Sequence, residues 1–473
     1  MSNSIMLDRL ADAAAGIFYD DLVKTEDLGL LESAVRADMR SVAAGVLKRC
    51  IERFDAGVVE SAPRGWTVHE RASRTLITLV GEVTFARTAF LDEYGRRRTL
   101  TDELLGIPPR SRLSNCAFLW IAARASELSY RKTAREFESL TAVGISHVSV
   151  MNAVHREGRL LKERGGEYAA ASKVSQEELF LESDGLWVHA QEGRHRERAI
   201  PRFLYEQARK TKSFELKMAA LYAGKKEVAP GRFERGGLCL TCSDEPPDAF
   251  WDRVWDMLCA NYEQRDVKRI AVGADGADWC GPRRVEAKAG PGCSVDFALD
   301  PFHVMQKIAR AFPDECSEER DRAVNLALRG HGEQLAQMAR EAARTASAGK
   351  REKALELASY IANHLDGIRP MRRELGTMEG TNAHIGAARL KGQGRSWSRR
   401  GAEAMCLIRC AIETKRPLIP LPPKSWFTEG ELKAREARIA KGAGSIPKTT
   451  GSGYMPPMHR LPKSAAISLS RRS

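Results

Sequence analysis

Three acidic residues far apart in the chain, Asp184, Asp275 and Glu379, carry the clearest chemical signal in the sequence. The aspartates lie in apolar, β-rich stretches, ELFLESDGLWVHA and VKRIAVGADGADW, and the glutamate follows a Gly-Thr turn in MRRELGTMEGTNAHIG. Phosphodiester cleavage uses two divalent ions roughly 4 Å apart that grip the attacking and leaving oxygens. Mg²⁺ takes hard oxygen donors and keeps several waters, so two or three carboxylates suffice to hold it. A carboxylate cluster without a cation suffers like-charge repulsion, which argues for a metal. Gly185 and Gly276 follow the two aspartates, and a residue without a side chain gives a phosphate backbone room to approach. Asp-Gly is also a common turn pair, so either pair alone reads as a turn between strands.

The elements around these residues decide between the two readings. Strands are expected at Glu178–Ala190, Phe214–Gly224 and Gly236–Cys242. A helix then starts at Pro247, with Trp251, Trp255, Leu258 and Tyr262 on one face. A fourth strand ends at Asp275, and a fifth ends at Asp300 before a helix. Three strands, a helix, then alternating strand and helix is an α/β layout and the element order of a ribonuclease-H-like mixed sheet. In that layout strands one and four are adjacent, which brings Asp184 and Asp275 together although 91 residues separate them. Apolar residues at helical spacing then predict a helical insertion before the Glu379 segment.

The flanking regions read differently. Residues 1–62 are helical in pattern, and Arg74–Gly95 alternates as short antiparallel strands around Gly81. SYRKTAREFESL, TAVGIS and HVSVMNAVHREGRLL form two amphipathic helices joined at Gly144, a helix-turn-helix capped by Ser146. Ser146, His147 and Ser149 would lie forward in a major groove; two packed helices touching no DNA fit the same pattern. The organisation expected is therefore 1–70 helical, 71–105 β-hairpin, 106–175 helix-turn-helix, 176–303 first part of the catalytic core, 304–374 helical insertion, 375–414 second part of the core, and 415–473 a mobile basic tail.

Composition agrees with an anionic partner. The chain of 473 residues carries 75 Lys and Arg against 62 Asp and Glu, a net +13, and 43% hydrophobic residues exclude general disorder. The last 59 residues hold twelve basic and three acidic residues, a net +9, among many Pro, Gly and Ser; they read equally as a solvated tail or as a phosphate-contacting one. No apolar run approaches the length of a membrane span, and the acidic N-terminus does not read as an export signal. A cytoplasmic, nucleoid-associated protein is expected. Ten irregularly spaced cysteines read as thiols, and Cys239 and Cys242 lack the further ligands of a zinc site.

The blocks ESDGLWV, GADGADW, LDPFHVMQKI and GTMEGTNAHIGAARLKGQGRSWSRRGAEAM resemble those of bacterial insertion-sequence transposases of the ISLre type, which are DDE transposases. The hairpin around Gly81, the block LTDELLGIP and the helix-turn-helix are similar too, so the resemblance spans roughly residues 70–412. It implies a ribonuclease-H-like core, two Mg²⁺ ions with Mn²⁺ as a substitute, and Asp184, Asp275 and Glu379 as both metal ligands and catalytic residues. Asp300 and His303 in DPFH resemble an Asp-x-x-His element of Mutator-like relatives and would support the metal site, with His384 nearby. Pro301 stands where the family pattern has a basic residue, and the C-terminal tail has no match in it.

The expected function is hydrolysis at the ends of a DNA element followed by strand transfer into target DNA. The partners are double-stranded DNA and further copies of the chain. Alternatives are a DNA-binding protein that no longer cuts and a nuclease without strand transfer. Lys210, Lys212, Lys217, Arg389, Lys391, Arg395, Arg399 and Arg400 are the basic residues expected near phosphates. Trp397, between cations, reads as a core residue more readily than as a base-stacking one.

Overall fold

The computed structural model describes residues 3–25, 27–164, 173–191, 213–370, 374–392 and 394–421. The chain divides into two compact units, residues 1–153 with 419–473, and residues 154–418. The boundary falls inside a helix, earlier than the sequence reading placed it at 175. The reason lies in the second half of that helix. Gly158 lets it approach Ala404 so closely that a Cβ would sit 2.2 Å from the alanine Cβ, and Lys162 pairs with Glu403 at 2.6 Å. No helix among the described residues is long and apolar enough to cross a membrane.

The first unit opens with helices α1 (Asn3–Thr25) and α2 (Leu28–Glu60), the second capped by Asp27. Strands β1 (Thr67–Thr78) and β2 (Gly81–Leu91) form an antiparallel hairpin turning at Gly81, whose φ of 107° suits glycine, and the short β3 (Arg97–Arg98) adds a third strand. Ala44, Leu47, Ile51, Phe54 and Val58 of α2 face this sheet at helical spacing. The hairpin is further tied by buried acids. Asp55 accepts from Thr88 N at 3.0 Å and Thr88 Oγ1 at 2.8 Å, and Asp102 pairs with Arg74 at 2.6 Å and Arg87 at 3.0 Å. Asp102 belongs to the LTDELLGIP block, whose short helix α3 (Leu100–Leu104) is wholly buried.

Helices α4 (Asn115–Ala125), α5 (Tyr130–Thr141) and α6 (His147–Arg164) follow. In the turn between α5 and α6 Ala142, with φ of 57°, takes the left-handed conformation and closes α5 by donating its N–H to Glu138 O at 2.7 Å. Ser146 accepts from Ser149 N at 3.0 Å as the cap of α6, and its hydroxyl lies 3.0 Å from that of Ser149. His147 stays exposed. Part of the segment assigned to the mobile tail is packed. Ile419 and Leu421 are buried, and Leu421 N donates to Asn115 Oδ1 at 2.8 Å. The rest of that tail, from 422 onward, lies outside the described residues.

The second unit is a mixed α/β body. Its sheet is ordered β10 (Ser294–Leu299), β9 (Arg269–Ala274), β4 (Glu178–His189), β5 (Ser213–Tyr222), β8 (Cys239–Ser243), with β4 central. β9 and β10 are parallel to it, β5 is antiparallel, and β8 is antiparallel to β5. A small hairpin of β6 (Lys225–Ala229) and β7 (Arg232–Arg235) links β5 to β8. On one face Leu179, Leu181, Leu221, Ile270 and Val272 form the main core with α7 (Pro247–Asn261), α8 (Pro282–Ala289) and α9 (Pro301–Ala311). Trp251 is fully buried there and donates to Trp279 O at 2.6 Å. Each such large side chain stabilises by about 1.5–3 kcal/mol on burial. Helices α10 (Ser317–Leu328), α11 (Gly332–Thr345) and α12 (Ala348–Asn363) form the insertion and join the same core through Leu335, Leu357 and Ile361.

The other face of the sheet is covered by the Glu379 segment, from Leu375 through helix α13 (Met378–Thr381), a wider π-helical turn over Asn382–Ala387, and α14 (Ala388–Leu390). Gly386 permits this approach, because a Cβ there would sit 2.2 Å from Leu186. Helix α15 (Arg399–Glu413) closes the unit, capped by Ser398.

Candidate active site

The registers of three parallel strands gather the acidic residues. Ser183 pairs with Ala274, and Ala274 pairs with Leu299. The next residue on each strand is acidic: Asp184, Asp275 and Asp300. Neighbouring strands lie roughly 4.8 Å apart, so the three form one row across the sheet. Asp300 N extends the ladder by donating to Ala274 O at 2.8 Å.

Asp184 is the hub. Only 6% exposed, it accepts from its own neighbour Gly185 N at 2.7 Å and from Asn382 Nδ2 at 2.6 Å. His303 Nε2 stands 3.8 Å from Asp184 Oδ1. One ligating atom each from Asp184, His303 and Glu379 lie within 4.8 Å of one another, across 195 residues of chain. His303 is set by its helix, because Asp300 caps α9 by accepting from Phe302 N at 2.9 Å. The Asp184 carboxylate leads the influences that raise the His303 pKa, against burial, and Asp300 and Asp275 add to it. Burial pushes the Asp300 carboxyl up, and the charges of Glu182 and Asp184 act the same way, while the Phe302 N–H and His303 oppose them.

Glu182 shares the Asp184 face of β4 and positions Glu379. Its Oε2 accepts from Gly376 N at 2.7 Å and Thr377 N at 2.8 Å, and its Oε1 from Thr377 Oγ1 and from Tyr222 OH at 2.5 Å. A fully buried carboxylate thus fixes the turn from which the Glu379 helix starts, with Gly376 at φ of 85°. The sequence reading missed Glu182 and Asn382. The signal for the first was an acid at a buried position of an apolar strand, two residues before Asp184, which requires a partner.

Asp275 departs from the expected ligand set. It is next to Asp184 in register, but its Oδ1 turns into its own loop, accepting from Ala277 N at 2.9 Å and Cys280 Sγ at 3.0 Å. The compact trio therefore contains His303 in place of Asp275. The loop itself is held by the insertion: Tyr360 OH donates to Asp275 O at 2.7 Å, and His364 Nε2 lies 2.9 Å from Gly276 O. The glycines also differ from expectation. A Cβ on Gly276 (φ 83°) would lie 2.7 Å from His364 Nε2, and one on Gly185 would lie 2.0 Å from Glu215 Oε1. The space beside each aspartate receives a protein side chain, not a phosphate. Burial pushes the Glu215 carboxyl up, with Asp275 and Asp184 adding to it against the Trp279 hydrogen bond and Lys217.

The basic residues are distributed unevenly. Arg389 is only 8% exposed and stacks over Trp397 at 4.9 Å, and Trp397 Nε1 donates to Leu390 O at 3.1 Å. Arg395 Nη1 donates to the carbonyls of Ala388, Arg389 and Lys391, completing the end of α14. These two arginines, expected at phosphates, are engaged within the protein. Lys217 is buried and donates to Glu245 O at 3.0 Å. Lys391 is exposed, and Arg399, with 62% of its side chain exposed, lies over Phe214 at 4.9 Å. His384 faces Glu413 at 3.2 Å rather than the carboxylate row. Lys210 and Lys212 lie outside the described residues.

The donor set has been formed without an opposing base. Among the described residues Asp184, Asp275 and Glu379 form no ion pair with Lys or Arg. His303 Nε2 and Asn382 Oδ1 are buried without a hydrogen-bond partner. Two carboxylate oxygens and an imidazole nitrogen within 4.8 Å of one another fit a divalent cation.

The chain belongs to the uncharacterised protein family UPF0236, whose sequence profile matches residues 24–415. It is 24% identical over 401 residues to the UPF0236 protein in the vanSb 3′ region of Streptococcus gallolyticus, covering 82% of this chain and 84% of that one. A UPF0236 protein of Caldanaerobacter subterraneus subsp. tengcongensis is 24% identical over 403 residues, covering 83% of this chain and 79% of its own length. Among solved structures, the Drosophila P element transposase strand transfer complex aligns over 76% of this chain and 91% of that chain, with 10% identity and a TM-score of 0.25.

Proposed function

We propose that this UPF0236 chain is a DDE-type transposase of an insertion sequence, with a ribonuclease-H-like catalytic core. The observation that carries the reading is the meeting of Asp184, His303 and Glu379, one ligating atom of each within 4.8 Å, beside the in-register Asp275. The central β4, with β5 antiparallel on one side and β9 parallel on the other, is the arrangement that the expected core requires. The motif blocks similar to ISLre-type transposases cover the same residues.

Asp184 and Glu379, with His303, are the residues that would hold divalent cation, Mg²⁺ or Mn²⁺, and Asp275 is the neighbouring carboxylate. Bound there, the cation would supply charge for the phosphate and a water of lowered pKa. The chain's own part is positional. Asn382 fixes the Asp184 carboxylate through Oδ2, and Glu182 fixes the turn that presents Glu379. Tyr360 and His364 hold the backbone on either side of the Asp275–Gly276 bond. His303 places an imidazole nitrogen at the Asp184 carboxylate, where it can carry a proton or donate an electron pair. Double-stranded DNA is the substrate, and the net charge of +13 favours its approach.

A plasmid assay carrying the element ends tests this. Joined products in the presence of Mg²⁺ or Mn²⁺, lost in Asp184→Ala and Glu379→Ala, are expected. Nicks without joining would assign a hydrolytic nuclease instead, and mobility shifts with neither product would leave only a DNA-binding protein.

A further inference from the structure

Helix α2 has two long faces with different fates. Ala44, Leu47, Ile51, Phe54 and Val58 pack on the hairpin. On another side Val35, Met39, Val42 and Val46 recur at intervals of four, three and four, the spacing of a coiled-coil seam. Met39, Val42 and Val46 are 39%, 55% and 52% exposed with α1 in place, and Leu28 ahead of them is 65% exposed. The same spacing continues into Glu32 on one end and Arg49 and Arg53 on the other. These three charged residues form no ion pair among the described residues. An apolar stripe with an acid at one end and bases at the other is self-complementary when reversed.

We propose that this stripe docks a second copy of the chain, with the two α2 helices antiparallel about a two-fold axis between Arg40 and Ser41. In that register Met39 meets the partner's Val42, and Val35 meets the partner's Val46. Glu32 meets the partner's Arg49, and Leu28 lies under the stem of the partner's Arg53. Every pair occurs twice, as a two-fold interface demands. Charge selects the direction. A parallel pairing in register would set Arg49 on Arg49 and Glu32 on Glu32, whereas the antiparallel one forms two Glu–Arg pairs at the rims of an apolar centre. From Leu28 to Arg53 the contact extends about 39 Å, at 1.5 Å per residue. The pairing is argued from α2 alone and does not rest on the catalytic reading.

Sedimentation of the full chain at tens of micromolar is the first test, and twice the 52.4 kDa chain mass is expected. Val42→Glu places an unpaired charge in the centre and is expected to raise the dimer dissociation constant by roughly 100-fold or more. Val42 is already exposed, so the circular dichroism is expected to stay unchanged. Glu32→Arg alone weakens the dimer, and adding Arg49→Glu restores it. Register is read in a Cys50→Ser, Cys116→Ser background under oxidised glutathione. Protein carrying Met39→Cys crosslinks to protein carrying Val42→Cys, and neither crosslinks well to itself. A wild-type monomer, a dimer indifferent to Val42→Glu, or self-crosslinking of Met39→Cys as efficient as the mixed reaction would each overturn the proposal.

Discussion

Among the described residues of the N-terminal unit the buried aspartates Asp55, Asp92 and Asp102 are all matched. Asp92 accepts from Arg96 and Arg98, Asp102 from Arg74 and Arg87, and Asp55 from Thr88 and Thr101. In the sheet unit Asp184, Asp275 and Glu379 form no ion pair with Lys or Arg among the described residues, and the acids come together instead. The same residue type therefore serves two ends. Where each carboxylate has its own donors, guanidinium or hydroxyl, the group is a fastener between strands and helices. Where carboxylates share a row with one histidine, like charges sit side by side, an arrangement that the proposed cation would relieve.

This contrast can be broken most sharply at Asp184. Asp184→Ala is expected to reduce Mg²⁺-dependent strand cleavage by roughly 1,000-fold or more while leaving the thermal midpoint nearly unchanged. A variant that keeps cleaving would make Asp184 another fastener. The reverse is expected at Asp102, where Asp102→Ala leaves two half-buried guanidinium groups unmatched. Denaturant titration is expected to register a loss of about 2–4 kcal/mol. Glu182→Gln falls between the two classes. It keeps the shape but weakens the grip on the Glu379 turn, and a drop of roughly 10–100-fold in metal affinity, read by calorimetry, is expected without loss of DNA binding. Unchanged affinity would place Glu182 with the fasteners. The smallest effect concerns acid. Burial opposes charge on Asp92, but the Arg96 N–H, the Arg98 and Arg96 guanidinium groups and the Tyr94 N–H outweigh it and hold its pKa at about 2. A depressed carboxylate stabilises the fold fully above its unfolded pKa, and the contribution is lost as pH falls through about 2. Amide exchange in the β2–β3 turn of Asp92→Asn is expected to lack the change between pH 4 and pH 2 that the wild type displays.

Much of this was legible in the letters because it is local. Apolar, β-rich runs located β4, β9 and β10, and each brings its aspartate to the same level. Ser146 is a cap that the sequence places directly. What escaped depends on partners far away in the chain. Gly276 reads as an open approach until His364, 88 residues later, fills its side. Arg389 reads as a phosphate contact until Trp397 lies beneath it. His303 reads as support for a metal held by others until α9 aims its ring at Asp184, while Asp275, expected in that set, bonds its own loop. Spacing along the chain cannot tell a carboxylate that points outward from one that folds back on its own backbone.

The grip of Tyr360 and His364 on the carbonyls of Asp275 and Gly276 has a practical corollary for anyone cutting the molecule down to size. Helices α10, α11 and α12, with the turn that bears His364, look like an appendage that a shorter chain could do without. Removing them would cut two hydrogen-bonded struts from the loop that bears Asp275, leaving that aspartate to wander while β9 beneath it stayed in place. A shortened version would also bare the core surface that Leu335, Leu357 and Ile361 cover, so lost stability accompanies a loosened Asp275.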